Sequence, residues 1–467
     1  MKLKRVNIIK LCILGFLTLL LLGCSNISQT NNQNDLIVNT IYNKTAPEWL
    51  KSATIYQINT RQFTPQGTLR AAEQELTRLK ALGIDIVWLM PIHPIGEKNR
   101  KGSLGSPYAV QDFFSVNPEL GTTEDLKRFV RRAHDLGMYV ILDWVANHTA
   151  WDNVIHQSNP QWYIKDFKGD NIPTLWFDWS DIIDLDFSNM DLQTYMIDAM
   201  KYWIEEVGID GYRCDAAGLV PNAFWARASK TLNQIKPVFM LAEWEGPQFY
   251  EHGFDATYAW SWWDTMHKIA KGKAKANALH SYYAWNDGYY PDRAMRLMYV
   301  SNHDVNSWES TQFEAFGDAL LSAITLSVIS EGIPMIYNGQ EAGNTKRLAF
   351  FEKDAIEWKA HPIGRLYQKL FALKKANSAL WNGKWGARML PINNSNSENV
   401  LSFVRSNKID KVVGIFNLSA EQQTVRLLDS MLFEGTYITF SSGKKQVLEG
   451  ESEFTLAPWE SIVLIQP

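Results

Sequence analysis

Cysteine is scarce in this chain, with 3 residues among 467, so a fold held together by a network of disulfide bonds is excluded. A strong charge of either sign is also missing. The formal net charge is −4, and without a polybasic surface we predict no nucleic-acid partner. No internal repeat is visible, and no apolar run is long enough to cross a membrane comfortably. The composition, with 46% hydrophobic and 21% charged residues, is that of a globular protein with a large buried core.

Residues 1–23 have the layout of a signal peptide, in which basic residues precede an apolar stretch at 11–22. That stretch ends in LLGC at 21–24, which resembles the lipobox of bacterial lipoproteins. We therefore predict cleavage before Cys24, lipid attachment to this residue, and a flexible polar tether over residues 24–48. The predicted location is the bacterial cell envelope, with the protein anchored to a membrane on its periplasmic or cell-surface side. An ordinary secretory signal followed by an incidental cysteine is the alternative.

Apolar segments of two kinds alternate between residues 49 and 380. Short runs bounded by Gly, Pro or Asp predict buried strands, and longer amphipathic segments predict helices. Because strands that alternate with helices form parallel sheets with right-handed crossovers, the pattern predicts an α/β fold, a (β/α)8 TIM barrel. The eight strands are predicted at residues 54–59, 84–90, 138–145, 209–215, 238–243, 256–259, 297–302 and 333–337.

Two segments depart from a plain barrel. Residues 146–190, after the third strand, are dense in Trp, Asp and Asn and lack long apolar periodicity. They are predicted to form an excursion that shapes the cleft. Short alternating segments toward the C-terminus predict an all-β sandwich domain. We therefore expect a barrel at 49–380, which includes the excursion, and a C-terminal sandwich at 381–467.

Three carboxylates follow predicted strands at matching positions: Asp215 in GYRCDAAG, Glu243 in FMLAEWEG and Asp304 in LMYVSNHDVN. Because the C-terminal ends of barrel strands meet at one rim, we expect these side chains to converge. Two such acids can cleave a glycosidic bond with retention, although a lone acid at a strand end can equally cap a helix or pair with arginine. Arg213 points to the same face as Asp215 and is expected to keep it ionised. Cys214 is predicted to be a buried strand residue rather than a nucleophile.

Four motifs, in this order, resemble those of the α-amylase family of glycoside hydrolases, family thirteen. They are DWVANH at 143–148, GYRCD at 211–215, LAEW at 241–244 and SNHD at 301–304. The resemblance spans about residues 50–467. It implies a (β/α)8 barrel with an excursion after strand three and a C-terminal β-sandwich. It also implies retaining hydrolysis of α-1,4-glucosidic bonds in starch-like glucans or maltooligosaccharides.

The resemblance assigns a role to each matching residue. Asp215 corresponds to the nucleophile, Glu243 to the general acid/base, and Asp304 to the third acid, which holds the hydroxyls of the sugar. Glu243 must begin protonated, so its surroundings are expected to disfavour its charge. The residues implied to bind the sugar in subsite −1 are Tyr108, on which it would stack, His148, Arg213 and His303.

The predicted chemistry requires no cofactor, and we assign no metal ligand. Asn147 matches a position that binds a structural calcium in many relatives. The acids that could complete such a site are Asp178, Asp181, Asp184 and Asp186, for which solvated loop positions are the competing interpretation. Residues 181–187 occupy the place of a motif diagnostic of subfamilies and match none, so the bond specificity stays open.

Two further functions stay open. A covalent glycosyl-enzyme can be captured by a sugar hydroxyl instead of water, which would make the protein a transglycosylase or an isomerase. A non-catalytic glycan-binding protein is the alternative from another class, although such relatives usually lose one of the three acids. The predicted partners are an α-glucan or maltooligosaccharide and, through the lipid, a membrane. The oligomeric state is not predicted.

Overall fold

A closed barrel of eight parallel strands, β1–β8, dominates the computed structural model, which describes residues 41–467. Each strand pairs in parallel with the next, and β8 pairs with β1. This confirms the predicted TIM barrel. The strands are β1 (Ile55–Ile58), β2 (Ile86–Leu89), β3 (Tyr139–Val145), β4 (Gly211–Asp215), β5 (Phe239–Ala242), β6 (Ala256–Tyr258), β7 (Met295–Met298) and β8 (Ile333–Tyr337).

The strands are buried on both faces because side chains fill the barrel and helices cover it. On β4, successive side chains point alternately out of and into the barrel. Tyr212 points outward and donates a hydrogen bond to the carbonyl oxygen of Met200 at 2.6 Å, while Arg213 and Asp215 share the inward face. Cys214 is fully buried, as predicted for a strand residue.

Helices follow every strand around the outside of the barrel. The helix after β2 begins with a capping box, in which Thr122 and Asp125 satisfy each other's backbone N–H groups. The helical segment Gln312–Ile329, two helices joined by a 3-10 turn, is apolar and long enough to span a membrane, but 72% of it is buried, as expected in the core of the barrel. The helices are Thr60–Phe63, Leu69–Gln74 and Leu76–Leu82 after β1, Thr123–Asp135 after β2, Met190–Tyr202 after β3, Asn222–Asn233 after β4, Gln248–Glu251 after β5, Trp260–Ala270 and Asn277–Tyr289 after β6, Gln312–Phe316 and Leu320–Ile329 after β7, and Pro362–Ala376 after β8.

The seventh strand lies earlier in the chain than predicted. It ends at Met298 rather than at residue 302. The next residues, such as Tyr299 and Val300, are buried without joining the barrel ladder, so apolar composition alone extended the predicted strand too far. Asp304 therefore does not directly follow the strand, and it immediately precedes a π-helical turn, Val305–Glu309.

The excursion after β3 is built on a small antiparallel sheet. His148–Ala150 pairs with Ile182–Asp184, and the chain rejoins the barrel layer at the helix that begins at Met190. Between the two strands lie a short helix, Val154–Ser158, and a 3-10 turn, Pro160–Trp162. The excursion thus begins one residue after Asn147 with His148, a predicted site residue.

The C-terminal region consists of a six-stranded and a two-stranded antiparallel sheet, which share a core that includes Val413 and Val425. The buried Arg405 joins this region to the barrel layer by donating to the carbonyl oxygens of Ser330 and Trp381 at 2.7 and 2.9 Å. The strands are β9 (Met389–Pro391), β10 (Val400–Ser406), β11 (Lys411–Asn417), β12 (Gln423–Arg426), β13 (Gly435–Thr439), β14 (Lys445–Leu448), β15 (Glu453–Leu456) and β16 (Ser461–Ile465).

The last part of the predicted tether packs against the barrel. Tyr42 forms a bridge with His252, and the ammonium group of Lys44 lies 2.6 Å from Asp255 with both side chains almost fully buried. The flexible segment predicted for residues 24–48 therefore does not extend to residue 48. Cys24 and the signal sequence lie outside the described residues.

Candidate active site

Arg213 is the centre of a cluster of acids at the C-terminal rim of the barrel. Its side chain is fully buried, and its Nη1 atom donates to Asp143 at 2.7 Å and to Asp215 at 2.8 Å. Its Nη2 atom lies 2.6 Å from Oε1 of Glu243. The sequence places these acids on β3, on β4 and directly after β5, so three neighbouring strands deliver three carboxylates to one guanidinium.

A chain of hydrogen bonds leads from this cluster to the opposite side of the rim. Gln57 donates to Nδ1 of His303 at 2.8 Å, which leaves Nε2 of the histidine to donate to the hydroxyl oxygen of Tyr108 at 2.7 Å. That hydroxyl then donates to Oδ2 of Asp143 at 3.0 Å, which also accepts from Trp88 at 3.2 Å. The chain fixes both the tautomer of His303 and the plane of the Tyr108 ring.

Burial dominates the protonation of the cluster. The pKa of Glu243 is raised to about 8. Burial is the largest cause, Arg213 opposes it, and the nearby Asp215 and Asp304 carboxylates add to the rise. Burial also raises the pKa of Asp215, to about 7, although Arg213 opposes this shift. The expectation that Arg213 keeps Asp215 ionised is thus met only in part, because desolvation outweighs the attraction of the guanidinium.

The backbone after β4 reaches across to Glu243. Ala216 adopts a left-handed conformation with φ of 42°, which is unfavourable for a residue that has a Cβ atom. In this conformation its N–H group donates to Oε2 of Glu243 at 2.7 Å. The turn after Asp215 therefore fixes the position of the second acid.

The remaining predicted residues join the same rim. Nε2 of His303 lies 3.5 Å from Oδ2 of Asp304, and His148 makes a hydrogen bond with the backbone of Tyr108. Burial lowers the pKa of each of these two histidines to about 4, so both are neutral at physiological pH. The Asp304 side chain is 46% exposed, which makes it the most open of the three predicted acids.

Comparisons with known proteins show the family of this chain. The family model described as alpha amylase, catalytic domain, matches residues 27–365. The chain belongs to the α-amylase family of glycoside hydrolases.

Relatives inside the family resemble most of the chain. The α-amylase MalA of Haloarcula japonica is 26% identical over 405 residues, which cover 82% of this chain and 58% of that relative. The chain thus spans less than two thirds of its length. The crystal structure of the maltogenic α-amylase AmyB from Thermotoga neapolitana matches with a TM-score of 0.82 and 30% identity. The match covers 90% of this chain and 99% of the AmyB chain. The α-amylase structure from Lactobacillus plantarum has a TM-score of 0.79 and 28% identity over 90% and 100% of the two chains.

Several residues of this α-amylase-family site were not predicted from the sequence. Asp143 and Trp88 lie on barrel strands and resemble ordinary core residues, and Gln57 has no motif around it. The hydroxyl group of Tyr258 accepts from Nε of Arg213 at 3.2 Å. Of these residues, only Asp143 had a signal in the sequence, because it opens the DWVANH segment. The structure buries its side chain completely.

Asn147 and two of the acids considered for a calcium site make contacts within the chain. Its amide nitrogen donates to Oδ1 of Asp184 at 3.2 Å and to Thr174 at 3.0 Å. Asp181 lies 3.6 Å from the ammonium group of Lys101, which supplies a positive charge from the chain itself. Within residues 41–467, no group of three or more His, Cys, Asp or Glu side chains is placed to hold a metal ion.

Proposed function

We propose that this protein is a retaining hydrolase of α-1,4-glucosidic bonds in starch-like glucans or maltooligosaccharides. The observation that carries the proposal is the placement of Asp215 and Glu243 against two nitrogens of one buried guanidinium. Both carboxyl groups are thereby held at one guanidinium, which supports a double-displacement mechanism in which two acids act on the same glycosidic bond. The names of the relatives, which include a maltogenic α-amylase, support an α-glucan as the substrate.

In the proposed mechanism Asp215 attacks the anomeric carbon while Glu243 gives its proton to the leaving oxygen. The anomeric carbon–oxygen bond breaks as the carboxylate bonds to the sugar, and a glycosyl-enzyme results. Glu243, now ionised, then takes a proton from water, whose oxygen displaces Asp215. The raised pKa of Glu243 supports this assignment, because the acid must carry its proton at neutral pH.

The other residues would hold the sugar and stabilise charge. Asp304, half-exposed at the rim, would bind sugar hydroxyls as the ring distorts, and His148 and His303 would do so as neutral imidazoles. Tyr108 would supply the flat apolar surface against which a pyranose ring packs. Arg213 would act on the two reacting carboxyl groups rather than on the sugar, since its side chain is fully buried.

The test is hydrolysis of a maltooligosaccharide series by the wild type and by Asp215→Asn and Glu243→Gln. Asp215→Asn is expected to lose turnover, and Glu243→Gln to keep activity mainly on substrates whose leaving group needs no proton. Asp178→Asn, which changes a fully exposed acid, is the matched control. Full activity of Asp215→Asn would refute the assignment. Products longer than the substrate would instead show transfer to a sugar hydroxyl.

We propose separately that the protein is a lipoprotein of the bacterial cell envelope, anchored through Cys24 to a membrane. The support is the signal-like layout of residues 1–23 and the LLGC string. Metabolic labelling with a fatty acid is expected to mark the wild type and not Cys24→Ala. Equal labelling of both would exclude the anchor and leave the hydrolase proposal unaffected.

A further inference from the structure

Beside the proposed sugar-stacking residue, Tyr108, an aromatic wall continues toward solvent. The ring of Phe350 stacks against Tyr108 with centroids 6.1 Å apart and an interplanar angle of 13°. Trp308 follows at 5.1 Å from Phe350. Its side chain is 48% exposed, although an indole of this size is usually well buried. About half of Trp308 thus remains accessible beside the ring of Phe350.

The position of Trp308 is fixed by the surrounding loops. Trp308 lies on the π-helical turn Val305–Glu309, and such turns are frequent at functional sites. Asn306 on the same turn ties it to the loop after β8, because its side chain accepts from Leu348 N at 2.9 Å and donates to Lys346 O at 3.1 Å. The indole is therefore presented by a rigid support, and little entropy is lost when a ligand packs on it.

The barrel order shows on which side of the scissile bond this wall lies. Phe350 follows β8 and Tyr108 follows β2, the two strands that flank β1, and Trp308, which contacts Phe350, follows β7, the neighbour of β8. Glu243 follows β5, which is diametrically opposite β1. Because Glu243 is the proposed proton donor to the leaving group, the wall lies on the other side, where the non-reducing part of the substrate extends.

We propose that Trp308, supported by Phe350, binds the glucosyl unit next to the one on Tyr108, on the non-reducing side of the bond that is cleaved. This inference rests on the proposed function. It assigns to Trp308 a part in selecting which glucosidic bond of the substrate is cleaved. A pyranose offers an apolar C–H face that matches an open indole plane. Occupation of this position favours cleavage that leaves two or more units on the Tyr108 side over cleavage that leaves one.

The experiment compares bond-cleavage frequencies on maltopentaose labelled at its reducing end. The labelled products report how many glucosyl units lay on the Tyr108 side. The ratio to measure is that of cleavage leaving two or more units on the Tyr108 side to cleavage leaving one. Trp308→Ala is expected to lower this ratio by about 2- to 10-fold and to lower kcat/KM by a similar factor. Trp308→Phe should restore part of the ratio and part of kcat/KM. The ratio is internal to each digestion, so a partly unfolded sample does not change it.

Trp285→Ala is the matched control. Trp285 is 44% exposed and lies on Asn277–Tyr289, the helix that leads into the start of β7 at the opposite end of the barrel. If neither the ratio nor kcat/KM distinguishes Trp308→Ala from Trp285→Ala while the wild type cleaves α-1,4 bonds, this inference is wrong and the proposed function stands. A lower mass in solution for Trp308→Ala with an unchanged ratio would assign the indole to an interface between two copies and also overturn it. Absence of cleavage by the wild type would instead refute the proposed function.

Discussion

Replacing Asp143 by Asn is expected to move the acidic limb of the pH–activity profile to lower pH. Asp143 and Asp215 accept from the same nitrogen of Arg213, at 2.7 and 2.8 Å. Burial is the largest cause of the raised pKa of Asp215, Arg213 opposes it, and the charge of Asp143 raises that pKa further. Because Asp215 must be ionised to attack, removing the neighbouring negative charge lets it work at lower pH.

The size of the shift follows from the geometry. Two oxygens that contact one nitrogen at these distances are at most about 5.5 Å apart, which corresponds to about 3 kcal/mol between unit charges at an effective dielectric constant of about 20. Since about 1.4 kcal/mol changes a pKa by one, full loss of this repulsion would move the acidic limb by about 2 pH units. Asn keeps an oxygen that can accept from Arg213, and we expect an observed shift of about 1 to 2 pH units.

The assay is kcat/KM on a maltooligosaccharide from pH 4 to 9, with folding checked by circular dichroism. Asp178→Asn, which removes the same charge from a fully exposed position, should leave both limbs in place. The alkaline limb, which we assign to deprotonation of Glu243, whose pKa burial raises to about 8, is expected to remain in Asp143→Asn. A folded Asp143→Asn enzyme whose acidic limb coincides with that of the wild type would refute the electrostatic coupling through Arg213.

Three further perturbations test other parts of the structure. Lys44→Ala leaves the buried carboxylate of Asp255 without its partner. It is expected to lower the free energy of unfolding by about 3–5 kcal/mol in urea titrations. The double variant with Asp255→Asn should recover part of this loss, and no recovery would contradict the pairing. Gly218→Ala places a Cβ atom 2.2 Å from the Trp244 ring. We therefore expect stability to fall by about 1–3 kcal/mol and kcat to be reduced. An unchanged melting temperature and kcat would show that the ring is free to move. Because Asp181 pairs with Lys101 and Asp184 accepts from Asn147 and Thr174, we expect EDTA to leave the melting temperature unchanged. A clear drop that added calcium reverses would show that a metal supports the excursion.

The sequence predicted the barrel because its strands are short, apolar and separated by amphipathic helices, so local pattern and global fold agree. It was less accurate where burial and strand pairing diverge. Residues after Met298 are as apolar and as buried as those of β7, yet they do not pair with β8, although β8 continues to Tyr337, and composition does not contain this information. The packed segment from Tyr42 was missed for a similar reason, because the partner that buries Lys44 is Asp255, far away along the chain.

The same distinction applies to the site. Asp215, Glu243 and Asp304 could be predicted because each follows an apolar segment inside a motif. Gln57 could not, since its contact with His303 is a tertiary event between two ends of the barrel segment. Ala216 carries no chemical signal at all, and its part in the site is a backbone N–H group aimed by an unfavourable φ angle.

One guanidinium among three carboxylates explains how two chemically similar acids can be assigned different tasks. Burial raises the pKa of both Asp215 and Glu243, so desolvation alone would not separate them. Asp215 accepts a directed hydrogen bond from Nη1 of Arg213, whereas Nη2 approaches Glu243 as an ion pair without hydrogen-bond geometry. Because a directed bond to the ionised form stabilises that form more than proximity does, the contacts of Arg213 favour the ionised form of Asp215 more than that of Glu243. We therefore expect the orientation of Arg213 on β4 to support the proposed roles of Asp215 as nucleophile and Glu243 as proton donor, against the opposing hydrogen bond from the Ala216 N–H group to Glu243.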